Sequence, residues 1–264
     1  MSAFYDCDLH IHSQISLCSG DPAQTPARIL QYAQDHHLNT LCLTDHFWDA
    51  DIPGASDFYK RQDFAHIAAA QPLPQADGVR FLFGCETEMD RHMRLGIPRR
   101  RFDDFDFVII PTTHFHMTGF TIPADCTAPQ QKSQFWLDKL NALLDMNLPF
   151  RKIGVAHLTC GLIDPSREAY LEILRGLGTD DLAAVFRKAA RAGVGIELNA
   201  DDMNFAPDEQ DTVLRPYRIA RDVGCKFYCG SDAHHPQALD DAPAIFARAV
   251  AQLELTEAEK FTLA

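Results

Sequence analysis

The chain has 264 residues, of which 46% are hydrophobic and 23% are charged, and its formal net charge at pH 7 is −13. This composition is typical of a globular protein and excludes a disordered or fibrous chain. The acidic balance argues against a protein that wraps nucleic acid, because phosphate backbones are bound by clusters of Lys and Arg.

We expect a single domain over residues 1–264, since single α/β barrels of about 250 residues are common. The sequence begins without a basic segment followed by an apolar one, and no apolar run approaches the roughly 20 residues that span a bilayer. The eight cysteines form no C-x-x-C pair, and several lie in apolar strand candidates, so disulfides are not indicated. These features predict a soluble, cytoplasmic protein that does not bind membranes.

Short apolar segments alternate with longer amphipathic ones, a pattern typical of βα units around a largely parallel sheet. The seven predicted strands are residues 5–10, 40–44, 79–86, 107–111, 153–157, 195–199 and 226–231. The predicted helices are residues 26–37, 58–70, 133–146, 180–192, 211–223 and 242–253. Two long connections, residues 89–106 and 115–131, have the length of lids or binding loops.

Potential metal ligands lie where nearly every predicted strand ends. Asp8, His10 and His12 share one face of the first strand, because side chains two residues apart point the same way. The later candidates are Asp45, His46, Glu86, His114, His157, Asp232 and His234. Any single one of these histidines would more commonly be a buried residue that is hydrogen-bonded to a backbone carbonyl. Six histidines at the ends of successive strands, however, indicate a shared site. In parallel α/β folds that edge carries the active site, and imidazole beside carboxylate suits a divalent transition metal.

The motifs that carry these residues resemble, in order, those of the PHP family, named for polymerase and histidinol phosphatase. They are Asp8-Leu9-His10-Ile11-His12-Ser13, Thr44-Asp45-His46, Gly84-Cys85-Glu86, Thr113-His114, Gly154-Val155-Ala156-His157 and Gly230-Ser231-Asp232-Ala233-His234. The resemblance extends over nearly the whole chain. It implies an α/β fold of the distorted TIM-like (β/α)7 barrel type, with a trinuclear metal centre at the C-terminal face of the strands.

The resemblance also implies a set of ligands for two to three divalent ions. These are His10, His12, Glu86 and Asp232 for a first ion, Glu86 with His114 and His157 for a second, and His46 with His234 for a third. The third ion needs one more ligand, for which we prefer Asp21, with Cys18 as a softer alternative. Manganese, iron and zinc all accept such mixed ligands, so the identity of the metal stays open. Glu88 and Glu197 are either supporting residues or ordinary polar strand ends.

The activity implied by the resemblance is that of a metal-dependent phosphoesterase, a hydrolase that acts on the phosphoric ester bond of a small metabolite such as histidinol phosphate. A metal-bound hydroxide would be the nucleophile, since metals lower the pKa of bound water to about 7. Glu86 and Asp232 would then be catalytic through the metals, and Asp45 is a candidate proton carrier.

Two other functions stay open: a nuclease or nucleotide phosphoesterase that acts on short oligonucleotides, and a non-catalytic metal-binding module. The candidates for binding the substrate phosphate are Arg91, Arg94, Arg99, Arg100 and Arg101, although runs of charge usually face water. The predicted partner is a small phosphorylated substrate, and nucleic acid enters only as a short oligonucleotide substrate.

Overall fold

The structure is a computed structural model that describes residues 4–263, and it is built around a parallel β-sheet. The strands are β1 (Cys7–Ile11), β2 (Thr40–Leu43), β3 (His46–Phe47), β4 (Arg80–Thr87), β5 (Phe107–Pro111), β6 (Ile153–Ala156), β7 (Gly195–Asn199) and β8 (Lys226–Gly230). Seven of them are hydrogen-bonded in the order β1-β2-β4-β5-β6-β7-β8, and the two-residue strand β3 pairs with β4.

The sheet nearly closes on itself where the segment after β8 meets β1. The backbone N–H of Asp232 donates to the carbonyl of His10 at 2.7 Å, and that of His12 donates to the carbonyl of Ala233 at 3.1 Å. A seven-stranded α/β barrel is therefore confirmed, with the short β3 as an addition that the sequence did not predict.

Helices surround the sheet, and along the chain they connect its successive strands. They are α1 (Pro26–His36), α2 (Phe64–Ala68), α3 (Pro129–Leu144), α4 (Arg167–Gly176), α5 (Thr179–Ala192), α6 (Gln210–Asp222) and α7 (Pro236–Gln252). α3 contacts α4 and α5, and α1 contacts α7. In the described part of the chain, no helix is both long and apolar enough to cross a membrane.

One helix prediction was wrong, and one helix was not predicted. The predicted helix 58–70 is a short 3-10 turn followed by α2, because the side chain of Asp63 accepts a hydrogen bond from the backbone of His66 and starts a new helix. Helix α4 was missed, although Ser166 caps it and Tyr170, Ile173 and Leu174 are buried along one face.

The lower end of the barrel, away from the carboxyl ends of the strands, is filled by apolar side chains. Phe261 packs its ring 5.9 Å from that of Phe107, and its backbone N–H donates to the carbonyl of Phe227 at 2.7 Å. Gly154 is required here, because a Cβ atom at this position would clash with the ring of Tyr228. The opposite end of the barrel is thus left for polar side chains.

The buried side chain of Lys139 joins the two long connections, residues 89–106 and 115–131. Lys139, on α3, donates through Nζ to the carbonyl of Met89 at 2.8 Å and to that of Thr121 at 3.3 Å. Burial lowers the pKa of Lys139 to about 8. The connections are therefore attached to the same point on the barrel wall.

Candidate metal centre

Four donor atoms converge at the carboxyl ends of β1, β4 and β8. The Nε2 atoms of His10 and His12 are 3.1 Å apart. Glu86 Oε2 lies 3.4 Å from the first and 3.2 Å from the second, and Asp232 Oδ1 lies 3.3 Å and 3.0 Å from them. His10, His12 and Glu86 are completely buried.

This group fits a divalent cation by its chemistry. Neither carboxylate oxygen of the buried Glu86 accepts a hydrogen bond within the described residues. A buried carboxylate without hydrogen bonds is costly unless a positive charge compensates it. A cation bound between the two imidazoles and the two carboxylates would satisfy all four donors together.

A second group lies on the other side of Glu86. The rings of His114 and His157 are 4.6 Å apart. His157 Nε2 lies 3.8 Å from Glu86 Oε1 and 3.3 Å from Asp232 Oδ2. Cys160, which the sequence analysis did not single out, has its Sγ within ligand distance of the same two histidines. Glu86 thus faces both groups, as a bridging carboxylate would.

A third group lies at the outer edge of the centre. His12 stacks on His234 with their ring centroids 4.3 Å apart, and His46 lies 4.5 Å from His12. Cys18 Sγ lies 3.0 Å from His234 Nε2. The carboxylate of Asp21 instead accepts a hydrogen bond from the backbone N–H of Ala23 at 2.8 Å. Among residues 4–263, neither Asp21 nor Cys18 belongs to a group whose ligand atoms all lie within 4.8 Å of one another, but Cys18 lines the same cavity as His46 and His234 and Asp21 does not.

The histidines are oriented by groups that bind their other ring nitrogen. Glu197 Oε1 lies 2.6 Å from His10 Nδ1, and Glu88 Oε1 lies 2.5 Å from His114 Nδ1. The carbonyl of Asp232 lies 2.7 Å from His234 Nδ1. Such partners leave Nε2 free to bind a metal.

Two of the candidate ligands have an unusual backbone. His157 has φ = 61° and Asp232 has φ = 54°, which is the left-handed region that residues other than glycine rarely adopt. Such conformations cost on the order of 1 kcal/mol or more each and persist where the surroundings fix them. Here they turn both side chains toward the centre.

The electrostatics of the site match this arrangement. Burial alone would raise the pKa of the Glu86 carboxyl, but the charges of His46 and His10 lower it well below its usual range. The pKa of Asp232 is lowered against burial in the same way, chiefly by His10. Desolvation would raise the pKa of the Cys18 thiol, yet hydrogen bonds from His234 and His46 lower it to about 5. Without a metal, protonated imidazoles therefore hold both carboxylates and this thiol in their anionic forms. The same histidines release their protons when they bind a metal.

Two cavities open beside the centre. The first, of about 380 Å³, has an apolar wall made by Phe58, Tyr59, Met117 and Leu162. The second, of about 290 Å³, is lined mainly by polar side chains, which are Thr159, Cys160, Arg167, Tyr170, Asp201, Asp202 and Asn204. Asp232 and Leu162 line both, so the cavities meet at the candidate metal ligands.

The predicted substrate arginines lie elsewhere. Arg100 and Arg101 pair with Asp49 at 3.3 Å and 2.8 Å, and Arg94 donates to the carbonyl of Pro53 at 2.8 Å. Arg91 and Arg99 are exposed, and none of the five arginines lines either cavity. Their role in substrate binding stays a prediction, and their contacts favour a structural role.

Both carboxylate oxygens of Asp45 accept hydrogen bonds from Ser13. Its Oδ1 accepts from the backbone N–H of Ser13 at 2.7 Å, and its Oδ2 accepts from the Ser13 hydroxyl at 2.8 Å. These bonds fix the turn that follows β1. The predicted role as proton carrier is untested, and the contacts suit a residue that positions this turn.

Comparison with known proteins gave one family and several similar folds. The family model of the PHP domain matches residues 8–201. The chain is similar to histidinol phosphate phosphatase from Lactococcus lactis subsp. lactis Il1403, whose structure is a complex with Zn, L-histidinol and phosphate. The identity is 17%, the match covers 92% of this chain and 93% of that one, and the TM-score is 0.58.

A candidate histidinol phosphatase from Listeria monocytogenes is similar over 91% of this chain and 99% of its own, with 10% identity and a TM-score of 0.61. At these identities the likeness concerns the fold. No curated protein sequence matches the chain significantly.

Proposed function

The chain belongs to the PHP domain family, and from this premise we propose that it is a metal-dependent phosphoesterase that hydrolyses a small phosphomonoester. The observation that carries the proposal is the convergence of two imidazoles and two carboxylates beside two cavities. The family match ends before β8, yet Asp232 and His234 belong to the same site. This supports the further proposal that residues 1–264 form a single domain.

The centre would hold two to three divalent ions, with zinc, iron or manganese as candidates. Bound ions of this kind supply an activated water molecule and positive charge for the phosphoryl oxygens. The chain itself would contribute Glu86, which faces two of the groups and would fix the spacing between their ions. Glu88 and Glu197 would hold the histidines behind them in one tautomer.

The surroundings of the centre support a small substrate over a polynucleotide. In the part of the chain that the structure describes, no Lys or Arg lines the apolar cavity. Arg167 lines the polar one, but its guanidinium pairs with Glu209 through Nε at 2.7 Å. A single-stranded nucleic acid needs a continuous basic groove along its backbone. The metal ions would therefore be the main binding site for one phosphoryl group.

The apolar wall supports a substrate whose organic part is aromatic or otherwise apolar. Leu162 is 44% exposed, and Leu17, on the loop that carries Cys18, is 38% exposed; they are the large hydrophobic residues left exposed among those described. Desolvation and the neighbouring His114 lower the pKa of His116 to about 4, so its imidazole is neutral at pH 7. A leaving group placed against Phe58 would thus meet carbon atoms and uncharged rings.

A panel of esters assayed with the metal-loaded protein tests the proposal. Benzyl phosphate and histidinol phosphate should be hydrolysed faster than glycerol 3-phosphate, and all three faster than a dinucleotide. Phe58→Ala should raise KM for benzyl phosphate and leave KM for glycerol 3-phosphate nearly unchanged. Processive degradation of oligonucleotides with negligible monoester hydrolysis would favour the nuclease. Full metal loading without turnover of any ester would favour the non-catalytic module.

The eight free thiols suit a reducing compartment, and we propose that the protein acts in the cytoplasm.

A further inference from the structure

We infer that Cys18 is a thiolate ligand of the outermost ion, and that it makes this position selective for thiophilic divalent metals such as Zn²⁺, Fe²⁺ and Co²⁺ over Mn²⁺ and Mg²⁺. The inference rests on the proposed function only in that the centre binds divalent ions. It does not depend on which ester is hydrolysed.

The first support is the position of the sulfur. Cys18 Sγ lies 3.0 Å from His234 Nε2, and the Nδ1 atom of that ring is already bound to the carbonyl of Asp232. Two ligands of one tetrahedral zinc ion, at about 2.3 Å for S and about 2.1 Å for N, are about 3.6 Å apart. A shift of about 0.6 Å would thus admit the ion. His12, His46 and His234 form a group of three potential ligands there, and the sulfur lies beside this group.

The second support is that the loop holds Cys18 from both sides. The backbone N–H of Leu17 donates to Gln62 Oε1 at 3.0 Å, and the Ser19 hydroxyl donates to the carbonyl of His234 at 2.7 Å. The backbone N–H of Ser19 also donates to the carbonyl of Ser16 at 2.9 Å, which closes a turn around the cysteine. The thiol is therefore directed at His234 by its neighbours in the chain.

The third support is the group of three histidines beside Cys18, since ligand atoms of His12, His46 and His234 all lie within 4.8 Å of one another. The bridging position of Glu86 adds to it. Glu86 is completely buried, neither of its oxygens accepts a hydrogen bond from residues 4–263, and it lines the same cavity as Cys18, His46 and His234. His46 Nδ1 lies 2.9 Å from Glu86 Oε2. A positive ion bound among these groups would compensate the buried carboxylate.

The alternative ligand, Asp21, has another role. Its side chain accepts from the backbone of Ala23, and its carbonyl accepts from the backbone N–H of Gln24 at 3.1 Å. These bonds form the turn that leads into α1. A thiolate at this position, where a carboxylate was expected, changes the preference of the site because soft sulfur favours thiophilic metals.

Cobalt provides a direct test, because a thiolate bound to Co²⁺ gives a charge-transfer absorption in the near ultraviolet that carboxylate and imidazole ligands do not give. Protein produced in cobalt medium, with its cobalt content confirmed by elemental analysis, should show this band. In a Cys160→Ser background, which removes the other cysteine that lies within ligand distance of two histidines, Cys18→Ser should lose the band and about one bound ion per chain. Cys126→Ser and Asp21→Asn should keep both, since neither residue lines the cavity that Cys18 shares with His46 and His234.

Persistence of the band in the Cys18→Ser/Cys160→Ser double variant would overturn the inference, and so would its absence from the fully cobalt-loaded Cys160→Ser protein. A second measurement needs no variant: Zn²⁺ should protect Cys18 from alkylation by iodoacetamide at least tenfold, as read by peptide mass spectrometry, and Mn²⁺ should not. Equal alkylation with and without Zn²⁺ would also overturn it. Because neither readout involves turnover, failure of the proposed phosphoesterase activity would be seen separately.

Discussion

Replacement of Glu197 by Gln tests whether a carboxylate behind the centre strengthens metal binding. Glu197 is completely buried, with Oε1 at 2.6 Å from His10 Nδ1. Its Oε2 accepts from the backbone N–H of His157 at 3.2 Å and from Asn199 Nδ2 at 3.2 Å. Gln occupies nearly the same volume but removes the negative charge that makes His10 a better ligand.

The magnitude follows from the kind of bond that is lost. A hydrogen bond to a charged group contributes about 1.5–3 kcal/mol, and about 1.4 kcal/mol corresponds to tenfold in an equilibrium constant. Loss of such partners typically weakens metal binding by about 10- to 100-fold. Because neither Glu197 nor His10 is exposed to solvent, salt should screen the effect very little. We therefore expect zinc affinity to fall by about 10- to 100-fold.

Zinc affinity should be measured by competition with a chelator, and circular dichroism should establish that the variant is folded. Glu168→Gln is the matched control, since Glu168 is exposed in the first turn of α4. Wild-type zinc affinity in a folded Glu197→Gln protein would refute the reasoning.

Three further predictions concern metals and charge. Removal of metal by a chelator should abolish turnover and lower Tm, since a ligand at 100 times its Kd stabilises the native state by about 2.7 kcal/mol; an unchanged melting curve after confirmed metal loss would contradict this. Glu86→Gln and His12→Ala should each reduce kcat/KM at least 100-fold, whereas His36→Ala, on α1 away from the centre, should change it less than threefold. In the folded protein the pKa of Lys139 is lowered to about 8 from 10.5, so the unfolded chain binds this proton more tightly. The free energy of unfolding, measured relative to Lys139→Met, should therefore rise between pH 8 and pH 10.5 by on the order of 3 kcal/mol. Urea titrations that show the same difference between the two proteins at every pH would refute this.

The barrel and most of the candidate ligands could be predicted because they depend on local pattern. Each strand is a short apolar segment, and the carboxyl ends of parallel strands must meet at one edge. This reasoning placed His114 and His157 at the same edge without any knowledge of their contacts, and the structure brings them together. Their role as ligands stays a prediction for metal analysis.

What could not be predicted depends on contacts between distant segments. Arg101 is one of several clustered arginines in the sequence, and nothing local indicates that it pairs with Asp49. Cys18 and Asp21 lie on one irregular loop, where residue spacing does not fix the direction of a side chain. Cys160 lies three residues after His157 in the irregular turn between β6 and a 3-10 helix, where the sequence pattern does not fix the direction of its side chain.

The closure of the segment after β8 onto β1 has a consequence for how the protein folds. Asp232 and His10 come from strands that are neighbours in the barrel but lie near opposite ends of the sheet in chain order. Contacts between such distant segments form late, because the entropy of closing the long intervening chain opposes them. An ion bound between Asp232 and His10 would therefore stabilise contacts that form only after the transition state for folding. It should slow unfolding much more than it speeds folding.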